Sequence, residues 1–214
     1  MHEIDLLIFD FDGTLVSSGE DIASSVNHML RKLGLPEHTE QEIISFVGDG
    51  TDKLIERAIG KASAGLHSTA VQIFSNHYKE HLMDGTKLYP GARDVLTYFS
   101  AKKKLIVTNK LYQFTIQIAQ SLDILNYFNA VIARDNYPFC KPDYRLLISL
   151  VEEYGVTPDR TAVVGDGIND ILLAKQAGAW SCAVLNGLTP RETLLKYKPD
   201  FACENLSEIK SIFY

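Results

Sequence analysis

The amino-acid sequence predicts a doubly wound parallel α/β sheet with an inserted all-helical domain, and two observations lead to this fold class. Short apolar runs alternate with segments of helical periodicity along most of the 214 residues, which indicates right-handed βαβ units. Between residues 17 and 83 only helical patterns occur, so no strand is predicted there. A chain of this length has room for one substantial core and a small inserted domain.

Six apolar runs are predicted to form the strands of the sheet. The first covers residues 6–9 and ends at the polar Asp10, which is typical of a buried parallel strand. The other runs have the same form and lie at residues 105–107, 130–133, 162–164, 182–185 and 201–203.

Helical periodicity predicts helices between these strands and throughout the inserted segment. The helices of the sheet domain are expected over residues 91–100, 111–122, 143–154 and 170–176. Turn signals place the hinges of the insertion at residues 15–18 and 83–89. Residues 1–16 and 84–214 are therefore predicted to form the sheet domain, and residues 17–83 the helical one.

The composition excludes several classes of function. Hydrophobic residues make up 46% and charged residues 22% of the chain, as in ordinary soluble proteins. The net charge of −6 and the lack of a basic run argue against a nucleic-acid groove, and no apolar stretch is long enough to span a membrane. Cys140, Cys182 and Cys203 lack metal-site spacing and predict reduced thiols. We expect a cytoplasmic monomer that binds neither nucleic acid nor membrane.

Asp10 and Asp12 carry the clearest chemical signal. They stand two residues apart at the carboxyl end of the first predicted strand, where ligands bind in open α/β sheets. Two neighbouring carboxylates repel each other and call for a cation, and Mg²⁺ commonly combines one or two carboxylates with a phosphate group. The alternative is a solvated turn, which Gly13 would also suit.

Three more predicted strand ends carry polar residues. Thr108 and Asn109 follow the strand at 105–107, where a hydroxyl and free backbone N–H groups bind anions, although such residues often only cap helices. Lys141 precedes the helix at 143–154, and taken alone it would be a surface lysine.

Asp166 and Asp170 follow the strand at 162–164. Helix capping is the simpler explanation for Asn169 and a possible one for Asp170, but it explains Asp166 poorly. Four carboxylates converging without a cation would be very unfavourable, whereas one Mg²⁺, one lysine and a phosphate largely balance them.

This arrangement resembles the haloacid dehalogenase superfamily, whose four motifs occur here in order. They are Asp10-Phe11-Asp12-Gly13-Thr14-Leu15, then Thr108, then Lys141, then Gly165-Asp166 with Asp170. The resemblance implies a Rossmann-like core, and the helical insertion looks like the superfamily's helical cap domain. The segments 46–50 and 54–58 resemble the phosphoglycolate phosphatase branch, although Leu111 stands where close members more often have proline.

The resemblance also implies a role for each motif residue. Asp10 would be the nucleophile, and Asp12 the acid and base. Thr108 and the Asn109 amide would bind the phosphoryl oxygens, and Lys141 would neutralise the nucleophile and the phosphate. Mg²⁺ would be held by Asp10, the backbone carbonyl of Asp12, and Asp166, with Asp170 in support.

Substrate choice is expected to reside in the cap. Gly48, Asp49, Gly50 and Lys53 are predicted to meet the leaving group when the cap closes, although a plain loop between helices would have a similar composition.

The resemblance thus implies a Mg²⁺-dependent phosphatase that hydrolyses a small phosphorylated metabolite, such as phosphoglycolate, through a phosphoaspartate. Sugar phosphates, nucleoside monophosphates and pyrophosphate stay open as substrates. A phosphosugar mutase of the same superfamily, a phosphoacceptor signalling protein and a catalytically silent binding protein stay open as alternatives.

Overall fold

The computed structural model describes residues 1–214 and contains a six-stranded sheet in which all neighbouring strands are parallel. In spatial order its strands are β5 (Ala130–Ile132), β4 (Lys103–Val107), β1 (Leu6–Phe9), β6 (Thr161–Gly165), β7 (Trp180–Val184) and β8 (Phe201–Cys203). The predicted fold class is confirmed. Every predicted strand is present, because a strand buried on both faces is a continuous apolar run that stands out in the sequence.

Alternate residues of β1 serve two separate cores. Leu7 and Phe9 belong to the larger core, which continues into the inserted helices, whereas Leu6 and Ile8 belong to the core on the opposite face. This alternation follows from the two-residue period of a strand. Both faces of the central strand are therefore dry, and its polar continuation at Asp10 emerges only at the carboxyl edge of the sheet.

Four helices form the inserted segment, named here the helical insertion: α1 (Gly19–Lys32), α2 (Glu40–Phe46), α3 (Thr51–Ile59) and α4 (His67–His81). They pack on one another, and their buried residues, such as Val26 and Phe74, join the larger core. None of the helices in the protein is both long and apolar enough to cross a membrane.

Five further helices connect or follow the strands of the sheet: α5 (Ala92–Tyr98), α6 (Tyr112–Ser121), α7 (Tyr144–Tyr154), α8 (Ile168–Ala177) and α9 (Arg191–Lys196). Short 3₁₀ helices lie at Lys61–Leu66, Leu125–Tyr127, Pro158–Arg160 and Leu206–Ser211. The six-residue α9 was not predicted, because it is too short to show a helical period.

A short antiparallel ribbon joins the helical insertion to the sheet. Its strands are β2 (Val16–Ser17) and β3 (Lys87–Leu88), with Val16 opposite Leu88 and Ser17 opposite Lys87. No strand was predicted at Ser17, since two residues cannot display alternation. The ribbon brings together the two segments that connect the sheet domain to the helical insertion, which are called here the first and second crossings. The exact domain boundaries at residues 16/17 and 83/84 stay a prediction.

Asp21 ties helix α1 to the second crossing. Its buried carboxylate accepts hydrogen bonds from the N–H groups of Gly85 and Thr86, both at 2.9 Å, and from the Thr86 hydroxyl at 2.7 Å. The first helix of the insertion therefore cannot move away from the second crossing without leaving a buried charge unpaired.

Candidate active site

The candidate site lies at the carboxyl edge of the sheet, where three neighbouring strands end. Phe9 at the end of β1 is paired with Ile106 of β4 on one side and with Val164 of β6 on the other. The residues that follow these strands, beginning at Asp10, Thr108 and Asp166, therefore meet. Since the chain continues from β1 to both sides, this edge is a topological switch point, the usual place for ligands in such sheets.

Lys141 joins two carboxylates at the centre of the site. Its ammonium lies 2.7 Å from Asp10 Oδ1 and 2.7 Å from Asp170 Oδ1, and its side chain is only 2% exposed. Asp10 Oδ1 also accepts the N–H of Phe11 at 2.7 Å. Asp10 Oδ2 has no protein partner and remains available to a ligand.

Asp166 is held rigidly beside this pair. Its Oδ1 accepts the Thr14 hydroxyl at 2.7 Å, and its Oδ2 accepts the N–H of Leu188 at 2.7 Å. The close approach requires glycine nearby: a Cβ on Gly13, whose φ is +84°, would lie 2.1 Å from Asp166 Oδ2, and one on Gly187 would lie 2.2 Å from Asp166 Cβ.

Asp170 has two roles at once. It is the third residue of α8, which begins at Ile168, two residues earlier than predicted. Its carboxylate accepts the N–H of Gly167 at 3.0 Å and thus caps the helix, while the other oxygen pairs with Lys141. Helix capping and participation in the site are therefore compatible explanations for this residue.

The balance of charge in this cluster is negative, and the pKa values show it. Burial, together with the charge of Asp10, raises the pKa of Asp166 to about 7, although Thr14 and Leu188 oppose the shift. Burial and Asp10 also raise the pKa of Asp170 well above its usual range. For Lys141 burial opposes the charged form, but Asp10 and Asp170 outweigh it and raise its pKa. One lysine is not enough for these three carboxylates, of which Asp166 and Asp170 are buried.

Asp12 has surroundings of its own. Its carboxylate accepts the Ser18 hydroxyl at 2.5 Å and the ammonium of Lys110 at 3.0 and 3.1 Å. Lys110 also donates to the hydroxyl of Tyr78 at 2.7 Å. Asp10 and Asp12 line the same cavity, but each is paired with a different lysine.

The cavity lies between the edge of the sheet and the helical insertion. Its polar floor includes Asp10, Asp12, Thr108 and Lys110. Its apolar wall comes from Ile22, Leu54 and Phe74 of the insertion and from Phe114 of α6. A bound molecule would therefore present a polar group to the floor while the apolar wall excludes water from it.

A sequence profile of haloacid dehalogenase-like hydrolases matches residues 7–184, which include all of these strand ends. The chain belongs to this family. The predicted membership is confirmed, and with it the prediction of an enzyme of the superfamily's hydrolase type.

Curated relatives and solved structures show which members of the family this chain is similar to. The chain is 35% identical to a phosphoglycolate phosphatase of Chromobacterium violaceum over 91% of this chain and 90% of that protein. It is 30% identical to a phosphoglycolate phosphatase of Nitrosococcus oceani over 99% and 97% of the two chains. A crystal structure of a predicted phosphoglycolate phosphatase from Haemophilus somnus 129pt superposes with a TM-score of 0.92 at 28% identity, covering 98% and 97%. The predicted resemblance to this branch is confirmed.

The donors at the strand ends fit the Mg²⁺ that the family implies. The excess negative charge, the hard carboxylate oxygens and the unpartnered Asp10 Oδ2 suit a divalent cation of this type. No three His, Cys, Asp or Glu side chains converge as a complete metal site. Mg²⁺ does not require one, because it usually keeps several water ligands. The side chain of Asp12 is engaged by Ser18 and Lys110, which leaves its backbone carbonyl as its predicted ligand atom.

Of the four predicted cap residues, two line the cavity and two do not. Gly48 and Gly50 line the cavity, as predicted residues for the leaving group should. Asp49 does not line it: its carboxylate pairs with Arg57 and accepts the Asn169 amide at 2.8 Å. Lys53 lies outside the cavity, and its ammonium pairs with Glu56 at 2.7 Å on the exposed side of α3. The prediction that Lys53 meets the leaving group is wrong, because α3 buries the neighbouring Leu54 instead.

Three side chains of the sheet domain hold the segment of residues 48–50, named here the cap loop. Asn109 donates to the Gly48 carbonyl at 2.9 Å, Arg134 to the Asp49 carbonyl at 3.1 Å, and Asn169 to Gly48 and Asp49. Helix capping was the wrong explanation for Asn169, since Gly167 occupies that position. The position of Asn169 between Asp166 and Asp170 is the only feature of the sequence that indicates a place in the site.

Asn109 and Thr108 are both buried at the end of β4 and line the cavity. The Asn109 amide nitrogen donates to Gly48 and to the Lys141 carbonyl, whereas its Oδ1 is buried without a partner. The Asn109 side chain therefore joins the cap loop to the loop of Lys141. Its predicted phosphate contact through the backbone amide stays a prediction.

The raised pKa of Asp166 predicts that the metal-free protein loses stability as the pH rises. An unfolded aspartate has a pKa of about 4. Between that value and about 7 the folded state holds more protons than the unfolded one, so the free energy of unfolding falls with rising pH. Urea unfolding in EDTA from about pH 4 to 8 should show Asp166→Asn gaining stability relative to the parent as the pH rises.

The comparison with the variant is needed because His28 and His77 have pKa values lowered by burial, which gives a pH dependence of the opposite sign. A difference between parent and variant that stays constant over this range would contradict the assignment of the titration to Asp166.

The cap loop is predicted to loosen when Asn169 is replaced. Asn169→Ala removes two hydrogen bonds to the loop, each with a net worth of about 1 kcal/mol, so opening should become roughly 5- to 30-fold more frequent. Hydrogen exchange of the peptide covering residues 47–54, followed by mass spectrometry, measures this change. Asn27→Ala is the matched control, because Asn27 bonds only His38 within the insertion. Equal hydrogen exchange in Asn169→Ala and the parent would contradict the prediction that Asn169 holds the cap loop on the sheet domain.

Proposed function

We propose that this protein is a Mg²⁺-dependent phosphatase that hydrolyses a small phosphate monoester through a phosphoaspartate on Asp10. The observation that carries the proposal is the division of labour between two carboxylates in one cavity. Asp10 is paired with Lys141 and has a free oxygen, whereas Asp12 lies apart with Ser18 and Lys110. A nucleophile and a separate acid–base group are what a two-step phosphoryl transfer requires.

In the first step, the Asp10 carboxylate attacks phosphorus, the bond from phosphorus to the ester oxygen breaks, and Asp12 gives a proton to the departing alcohol. Lys141 neutralises the carboxylate as it approaches the anionic phosphoryl group. The Thr108 hydroxyl and the backbone N–H of Asn109 bind phosphoryl oxygens. Most of the acceleration in such reactions comes from positioning and charge stabilisation.

In the second step, Asp12 takes a proton from a water molecule, the water oxygen attacks phosphorus, and phosphate leaves while Asp10 is regenerated. Asp10, Asp166 and the Asp12 carbonyl would hold Mg²⁺, with Asp170 close by. The ion supplies positive charge to the phosphoryl oxygens.

The cavity favours a small leaving group. The apolar residues Ile22, Leu54, Phe74 and Phe114 line the same cavity as Asp12, and hydrogen bonds hold the cap loop to the sheet domain. The relatives from Chromobacterium violaceum and Nitrosococcus oceani are named phosphoglycolate phosphatases, so phosphoglycolate is the first substrate to test.

The proposal predicts phosphate release that depends on Mg²⁺ and on Asp10. A panel of small phosphate monoesters, phosphoglycolate first, would be assayed with Mg²⁺ and with EDTA. EDTA should abolish release, and Asp10→Asn should lower it by at least about 1,000-fold, because an amide cannot replace the carboxylate nucleophile. Asp94→Asn, at an exposed position in the first turn of α5, is the control and should keep full activity.

Release that persists in Asp10→Asn would rule out the nucleophile. Transfer of the phosphoryl group that needs a bisphosphate activator would indicate a mutase. A stable phosphoaspartate without phosphate release would indicate a phosphoacceptor protein.

A further inference from the structure

Lys110 bridges the sheet domain and the helical insertion directly behind Asp12. It follows Thr108 and Asn109 after β4, and its side chain is 7% exposed. Its ammonium contacts both oxygens of Asp12, at 3.0 and 3.1 Å, and the hydroxyl of Tyr78 on α4, at 2.7 Å. Lys110, Asp12 and Tyr78 come from three distant segments of the chain.

The hydrogen-bonding capacity of Lys110 is fully used by these contacts. An ammonium group has three donors, and here two go to Asp12 and one to Tyr78. Asp10 differs in this respect, because one of its carboxylate oxygens has no protein partner. Lys110 lines the cavity, but its ammonium has no donor left for a bound molecule, so it is placed to act on the reaction through Asp12.

The contacts of Asp12 fix the direction of its carboxylate. The Ser18 hydroxyl binds Oδ1 at 2.5 Å, and Lys110 binds both oxygens from its own side. A general acid is effective only when its oxygen lies within hydrogen-bond reach of the atom that receives the proton. Loss of Lys110 would leave the carboxylate with Ser18 alone and free to turn.

Through Tyr78, the orientation of Lys110 and Asp12 depends on the position of helix α4 against the sheet domain. The Lys110 ammonium lies 4.6 Å from the centroid of the Tyr78 ring, so it meets both the face and the hydroxyl of this residue. The ring in turn packs edge-on against Phe114 of the sheet domain and stacks on Phe74. Movement of α4 away from the sheet would remove one partner of Lys110.

We propose that Lys110 is a positioning residue that holds Asp12 in its acid–base orientation, and that Tyr78 couples this orientation to closure of the helical insertion over the sheet. The proposal rests on the proposed phosphatase function. Under this proposal, α4 lines the cavity and also helps to orient Asp12 through Tyr78 and Lys110.

Two substrates separate this role from a general structural one. Phosphoglycolate releases glycolate, whose departing alkoxide oxygen needs a proton from Asp12, whereas p-nitrophenyl phosphate releases a phenolate that is stable without one. Single-turnover release of p-nitrophenolate, with enzyme in excess, reports only the transfer to Asp10. The variants are Lys110→Met and the milder Tyr78→Phe, which deletes one hydroxyl. Steady-state kcat and KM on phosphoglycolate complete the comparison.

Lys110→Met should lower kcat on phosphoglycolate by about 100-fold or more, the usual share of acid–base catalysis, with little change in KM. Its single-turnover release of p-nitrophenolate should stay within about 10-fold of the parent, because that step needs no proton. Tyr78→Phe should show the same pattern with roughly a 10-fold loss on phosphoglycolate, since it removes one hydrogen bond to Lys110.

Lys104→Met is the matched control. Lys104 is a buried lysine on the same strand, β4, but its ammonium donates to the carbonyls of Phe99 and Lys102, away from the site. Its replacement should lower the melting temperature without changing the ratio of the two substrates' rates.

Equal losses on both substrates in Lys110→Met and Tyr78→Phe would overturn the proposal in favour of a structural role. A rise in KM confined to phosphoglycolate, with kcat unchanged, would overturn it in favour of a direct contact between Lys110 and the substrate carboxylate. If Lys110→Met does not fold, Tyr78→Phe decides by the same criteria. Failure of the phosphatase function itself would be visible separately, as no phosphate release by the parent protein or as release that does not require Mg²⁺ or Asp10.

Discussion

The ion pair of Lys141 with Asp10 and Asp170 is the interaction on which the rest of the site depends. Both distances are 2.7 Å, and the buried ammonium opposes the rise that burial causes in the pKa values of Asp166 and Asp170. A buried charge is tolerated only when it is paired, so removal of Lys141 would leave an uncompensated acidic cluster. The same pair keeps Asp10 Oδ1 occupied and leaves Oδ2 without a protein partner.

The helical insertion contributes to the site in two ways. The cap loop covers the cavity and is held by Asn109, Arg134 and Asn169, while Gly50, with φ +88°, lets the loop pass close to Arg134. Helix α4 reaches Asp12, the proposed acid–base group, because Tyr78 binds the lysine that binds Asp12. In the proposed mechanism, closure of the insertion would therefore exclude water and complete the catalytic set in one movement.

The sequence was sufficient for the sheet and for the residues at its strand ends. Buried parallel strands are continuous apolar runs, and Asp10 and Asp166 directly follow two of them, at positions that only the carboxyl edge explains. It was not sufficient for contacts made across the fold. Asp12 and Lys110 are 98 positions apart, and Asn169 and Asp49 are 120 apart, so their pairing depends on how the insertion sits on the sheet. Lys53 was assigned wrongly for the same reason: the packing of α3 decides which of its faces is buried.

The central claim is that Asp10 carries the phosphoryl group during turnover. The most direct measurement is a rapid acid quench of the protein with Mg²⁺ and its best substrate within the first turnover, followed by mass spectrometry of its peptides. The account predicts one phosphoryl group on the peptide that contains Asp10, which disappears as phosphate is released. A phosphoryl group on another residue, or phosphate release at full rate with no phosphorylated peptide at any time, would contradict it.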